Sequence, residues 1–129
     1  MIIDLHSHLF HPKWYPRAFQ QALVGNFTRR NQKAQRHIES IKAEKQLYRM
    51  LTDETGSTTV RIMDKVGIDK RVILIVDLGV KLGEAPSSIE TIHQEILNIC
   101  SNFKDRLIGF AGIDPRRDEA VQVLRYAFD

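Results

Sequence analysis

The amino-acid sequence predicts an α/β fold built on a short parallel sheet. Three observations carry that expectation. Three β-branched runs, over residues 2–5, 72–76 and 106–113, are each followed by segments whose apolar residues recur at helical spacing. The middle run shows no polar alternation, the mark of a strand covered on both faces. Strands and helices alternate along the chain, an order that right-handed crossovers convert into neighbouring parallel strands.

Each element has its own signals. Residues 2–5 read as a short, largely buried strand, and Pro12 and Pro16 then break regular structure. Over 17–24, Ala18, Phe19, Ala22 and Leu23 fall at helical spacing, with Pro16 suited to the first position and Gly25 to the C-terminal cap. A longer helix is expected over about 31–52, with Ala34, Ile38, Ile41, Tyr48 and Leu51 on one stripe. After a break at Gly56, a hydroxyl of Ser57 or Thr58 can cap a helix over 59–66. That helix turns Val60, Met63 and Val66 inward and closes on Gly67. Residues 78–86 form a loop, and Ser87-x-x-Glu90 is a capping box. The helix it opens buries Ile89, Ile92, Ile96, Leu97, Cys100 and Phe103. Gly109 and Gly112 allow close backbone approach at the third strand. Asp114-Pro115 turns the chain into a last helix, capped by Asp118, with Val121, Leu124 and Phe128 inward.

Bulk composition narrows the class. The 129 residues make at most one domain, 43% apolar and 27% charged. No apolar run approaches the ~20 residues of a membrane span, and nothing at the start resembles a basic-then-apolar leader. A lone Cys100 fits a reducing compartment, so a cytoplasmic chain is expected. The net charge of +3 conceals an uneven distribution: residues 12–49 carry nine Lys or Arg against two Glu. The rest carries ten basic and fourteen acidic residues. The charge is not interleaved with stacking aromatics, which disfavours a nucleic-acid partner.

In parallel α/β architectures chemistry gathers at the C-terminal ends of strands. Here those ends carry His6, His8 and His11, then Asp77, then Asp114. His6 and His8, two apart on a strand, project from one side and form half of a divalent-metal site. Half is the operative word, because metal sites usually take three or more protein ligands. The plainer reading is two partly exposed polar residues ending a strand. Asp114 is better explained as a turn residue before Pro115, and His37 and His93 as solvated positions on helices.

The stretch Ile3-Asp4-Leu5-His6-Ser7-His8 resembles the opening motif of the amidohydrolase superfamily. The likeness is to its amidohydrolase-related branch of TIM-barrel metal-dependent hydrolases, which includes decarboxylases of aromatic carboxylic acids. Two further stretches, over 63–73 and 106–115, agree with that branch in the same order. The resemblance implies the first three βα units of a (β/α)8 TIM barrel, with a basic helical insertion over 12–57 after the first strand. It implies that His6 and His8 ligate a divalent metal, zinc first and manganese next. It further implies metal-activated water attacking a C–N or ester bond, or metal-assisted decarboxylation. In that family the remaining ligands and the catalytic aspartate come from later strands, so neither Asp77 nor Asp114 takes the catalytic role.

A complete barrel needs about 250 residues, so residues 1–129 are expected to form a single incomplete barrel domain, the N-terminal part of a longer enzyme. The insertion is long for a strand-to-helix loop and would emerge at the barrel mouth as a lid. Its charge would attract a small anionic substrate such as a carboxylate, with His11, Trp14, Tyr15 and Asp77 lining the mouth. The bland alternative is a basic helix that is solvated or packed on another subunit of a homo-oligomer. Two other enzyme classes share a His-x-His start: TatD-type nucleases and phosphoesterases of the polymerase-and-histidinol-phosphatase type. A non-catalytic fragment, or a domain that folds only by assembly, is the alternative outside enzymes.

Overall fold

A computed structural model describes residues 1–128 of the chain. Three strands, β1 (Ile3–Ser7), β2 (Lys70–Leu74) and β3 (Leu107–Phe110), form one parallel sheet in the order β1-β2-β3. Six helices accompany them: α1 (Arg17–Lys33), α2 (Ser40–Leu51), α3 (Ser57–Val66), α4 (Gly79–Leu82), α5 (Ile89–Asn102) and α6 (Ala120–Phe128). The chain is α/β. Asp129 and the side chain of Phe128, expected to point inward, lie outside the described residues.

The register explains the shape of the core. Arg71, Val72, Ile73 and Leu74 pair with Leu107, Ile108, Gly109 and Phe110. Ile73 and Leu107 therefore share one face, and both are buried in the core with Ile92, Ile96, Ile99 and Met63. Val72, on the other face, is buried as well, so the unbroken apolar run of β2 does mark a central strand. β1 is different. It is an edge strand with Leu5 71% exposed, and the expectation of a largely buried strand fails because no strand covers its outer side among the described residues. Phe110 at the opposite edge is half exposed. The sheet thus has a covered side and an open side, the latter carrying apolar residues.

The helical region departs from the sequence pattern in instructive ways. Gly25 does not end α1, which runs on to Lys33. One glycine costs a helix interior only about 1 kcal/mol, and α1 is held along its length by packing on α2. The single helix expected over 31–52 is broken at 34–39, where Gln35 takes φ 57° and the amides of Ala34 and Arg36 both donate to the Asn31 carbonyl. His37 lies in this connector and not on a helix. With the helix restarted at Ser40, Ala43 and Leu47 face inward and Ile41 and Leu51 are exposed. The insertion folds as a helical pair whose far end returns to β1, where Asp53 N–H donates to the Phe10 carbonyl at 3.2 Å.

The hydroxyl expected at the start of α3 is not the cap. Gly56 sits at φ 78°, and the buried Asp53 carboxylate accepts from the amides of Gly56, Thr58 and Thr59 and from the Thr59 hydroxyl. Gly67 closes the helix in the left-handed region as expected, but Val66 is exposed. The cap of α5 is Ser88, one residue after the Ser87 of the sequence reading, and its Oγ accepts from Thr91 N–H. The loop after β2 contains the one-turn α4. In α6, Val123 is buried and Val121, expected inward, is exposed.

Candidate functional site

The strand ends converge on one rim. Within β1 the register slips between Asp4 and Ser7, and His6 and His8 lie against each other. Their Nε2 atoms are 3.2 Å apart, and the rings meet edge to face with centroids 5.0 Å apart. His8 Nδ1 lies 2.9 Å from the Leu74 carbonyl oxygen at the end of β2. A carbonyl can only accept, so Nδ1 of His8 carries the proton and its Nε2 carries the lone pair. His6 Nε2–H then donates to it. Both side chains are exposed.

That spacing can be weighed against a metal's needs. Two imidazole nitrogens on one tetrahedral zinc, at bonds of about 2.0–2.1 Å, stand about 3.3 Å apart. The histidine pair already has this separation. In metal sites a ligating imidazole is oriented by a bond from its other ring nitrogen to a carbonyl or carboxylate, and His8 Nδ1 makes a bond of that kind to Leu74. The set stops at two: among the described residues no group of three or more His, Cys, Asp or Glu side chains is arranged to hold a metal ion.

The second strand end is built differently. The Asp77 side chain is 3% exposed, and each of its oxygens is occupied. Oδ1 accepts from Gly79 N–H at 3.0 Å and from Arg117 Nη2 at 2.9 Å. Oδ2 accepts from Asp114 N–H at 3.0 Å and from Arg117 Nε at 2.5 Å. Burial opposes ionisation of Asp77, but the bonds from Arg117 and the two amides outweigh it and hold its carboxyl below the usual range. Arg117 also reaches Glu84 and Glu119, and the carboxylates of Asp77 and then Glu84 raise its already high pKa. Asp77 thus ties the ends of β2 and β3 together, each of its oxygens accepting two bonds.

The third end explains the glycines. A Cβ on Gly112 would overlap the Ile75 carbonyl, and one on Gly109 would sit 3.0 Å from Leu97 Cδ2. His93 is fully buried instead of solvated: its Nδ1 donates to the Ile89 carbonyl at 2.7 Å and its Nε2 accepts from Gly112 N–H at 3.2 Å. It clamps α5 to the strand exit. Asp114 forms the turn expected of it, accepting from Arg116 N–H, and the Arg116 side chain beside it holds its carboxyl down to about 2.

His11, Trp14 and Tyr15 do not share the rim with His6. His11 Nδ1 accepts from Lys13 N–H, capping the short 3-10 turn Pro12–Trp14, and its Nε2 lies 3.4 Å from Glu54. With Trp14, whose indole N–H donates to Glu95, His11 lines a groove of about 460 Å³ against α5. Tyr15 is buried between Phe10 and Phe19, donates to the Leu9 carbonyl, and burial pushes its hydroxyl up to about 12. The rim itself is a separate open cleft of about 560 Å³, lined by His8, Asp77, Asp114 and Arg116 with apolar walls from Leu74 and Ile113.

Sequence reasoning missed Arg116, Arg117 and His93. The adjacent arginines after Asp114-Pro115 were visible, but Arg117 pairs with Asp77, forty residues away. No family model, curated protein or solved structure matches the chain.

Proposed function

We propose that this chain is part of a metal-dependent hydrolase or decarboxylase of the amidohydrolase type, with His6 and His8 as two ligands of one divalent metal, zinc first and manganese next. The observation that carries the reading is the convergence of two Nε2 atoms at 3.2 Å, one of them set in its ligating tautomer by the Leu74 carbonyl. The metal, when bound, would supply Lewis-acid polarisation and water activation. The protein's own contribution is to hold the two nitrogens at that spacing and to leave the space above them open.

The open side of the sheet supports the barrel part of the reading. Two unpaired edges and exposed Leu5 and Phe110 are a combination that soluble sheets avoid, and further strands closing a (β/α)8 barrel would cover both. Those strands would also bring the missing ligands to the rim. In this reading the helical pair α1–α2 is a lid hung from the end of β1 by Gln20, whose amide donates to the carbonyls of Pro12 and Tyr15 at 2.7 Å. Its lysines and arginines would draw anionic substrates towards the mouth.

Calorimetric titration with zinc tests the proposal. Weak uptake of one zinc per chain is expected, as two imidazoles short of their other ligands allow, lost in the His6→Ala, His8→Ala double variant and unaffected by His37→Ala. Zinc uptake unchanged by the double variant, or no uptake at all, would overturn it. Release of phosphate from model diesters, with no turnover of amides or carboxylates, would move the chain to the phosphoesterase class.

A further inference from the structure

The two arginines that follow Pro115 have opposite surroundings, and the difference marks one of them as a binding group. Arg117 is buried, and its Nε, Nη1 and Nη2 all donate to Asp77, Glu84 or Glu119. Nothing is left over. Arg116 is 62% exposed at the cleft shared with His8. Its Nε and Nη2 take the two oxygens of Asp114, with Nε 2.9 Å from Oδ1 and Nη2 2.5 Å from Oδ2. This side-on pairing uses one edge of the planar guanidinium. The end-on edge, one N–H from Nη1 and one from Nη2, is the remaining fork, and no protein acceptor meets Nη1 among the described residues.

We propose that Arg116 is a specificity residue of the rim, its end-on fork receiving the carboxylate of a small ligand whose apolar body lies against Leu74 and Ile113. The inference rests on the reading of His8 as part of a reaction site, and assigns a ligand group to the opposite wall. Asp114 is the positioning residue. It accepts from the Arg116 backbone amide as well as from the side chain, so the guanidinium is fixed in plane before any ligand arrives. Asp114 is itself anchored, its own amide donating to the buried Asp77. The route from core to rim is therefore Arg117, Asp77, Asp114, Arg116. Because the Asp114–Arg116 pair is neutral overall, recognition rests on fork geometry more than on long-range charge. The cleft walls contribute apolar contact, which favours an apolar monocarboxylate over a multiply charged anion.

The experiment is a titration of the isotope-labelled chain with benzoate, followed by amide NMR, with benzamide as the neutral isostere. Saturable shifts are expected at His8, Ile113 and Arg116 with benzoate, and binding about tenfold or more weaker with benzamide. Arg116→Gln should weaken benzoate by about tenfold and leave benzamide unchanged, while Arg116→Lys, which keeps charge but loses the fork, should restore little. The melting temperature of Arg116→Gln is expected to stay close to that of the unsubstituted chain, since the side chain is mostly exposed. Equal binding of benzoate and benzamide, benzoate binding unchanged in Arg116→Gln, or full rescue by lysine would overturn the assignment. Zinc titration of the unsubstituted chain separates the two proposals. Retained zinc uptake with no benzoate response sinks the role of Arg116 alone; benzoate binding without zinc uptake sinks the metal site alone.

Discussion

The ends of β1 and β2 lie side by side in one parallel sheet, yet they are finished in opposite ways. At the β2 end, the Asp77 carboxylate is buried and takes four bonds from three residues. At the β1 end, two imidazoles bond to each other and to one carbonyl, in the open. A polar group taken out of water must be paired within the fold, or it costs several kcal/mol. An exposed group carries no such obligation. The β2 end is therefore architecture, and the β1 end is free to serve a ligand.

The contrast breaks most visibly at Arg117. Arg117→Ala strands the buried Asp77 charge and is expected to destabilise the chain by about 3–5 kcal/mol in urea unfolding. A loss below about 1 kcal/mol would mean the network is ornamental. Gly112→Ala tests the same strand exit from the backbone side. Its Cβ meets the Ile75 carbonyl, which cannot move aside without distorting β2, so a cost of about 2–3 kcal/mol is expected. Asp53→Ala, which leaves the start of α3 uncapped, should cost about 2 kcal/mol. Against these, His6→Ala and His8→Ala are expected to change stability by no more than about 0.5 kcal/mol, since both side chains are exposed.

Acid sharpens the comparison further. The Asp77 and Asp114 carboxyls are held below their ordinary value of 3.8 in the folded chain. Their stabilising contribution is fully present above that value and is lost as pH falls through it towards about 2, where Asp114 protonates. Unfolding free energy should therefore decline over that window. In Arg117→Ala the decline should be shallower, because the partner that depresses Asp77 is gone. An equal slope in both proteins would contradict the assignment.

Much of this was legible in the residues. Val72 and Ile73 announced a central strand because both faces of β2 are apolar, and Gly109 and Gly112 announced close backbone approach. His6 and His8 were readable as a pair because strand geometry alone puts alternate side chains on one side. What was hidden depends on contacts distant in sequence. Exposure of β1 follows from its place at the edge, which its apolar residues do not reveal. The break at Gln35 follows from packing of α1 on α2, and local propensity favours continuing the helix. His93 looks like a solvated helix residue until Gly112, nineteen positions on, is found at its Nε2.

The central claim is that the exposed histidine pair is a ligand pair. The most direct measurement is the ring-nitrogen NMR spectrum of the histidines during addition of zinc. Large shifts of Nε2 in both His6 and His8 are expected, with the Nδ1 proton of His8 kept on the Leu74 carbonyl and His93 unmoved. Nε2 signals of His6 and His8 that stay in place while zinc is present in excess would contradict the account.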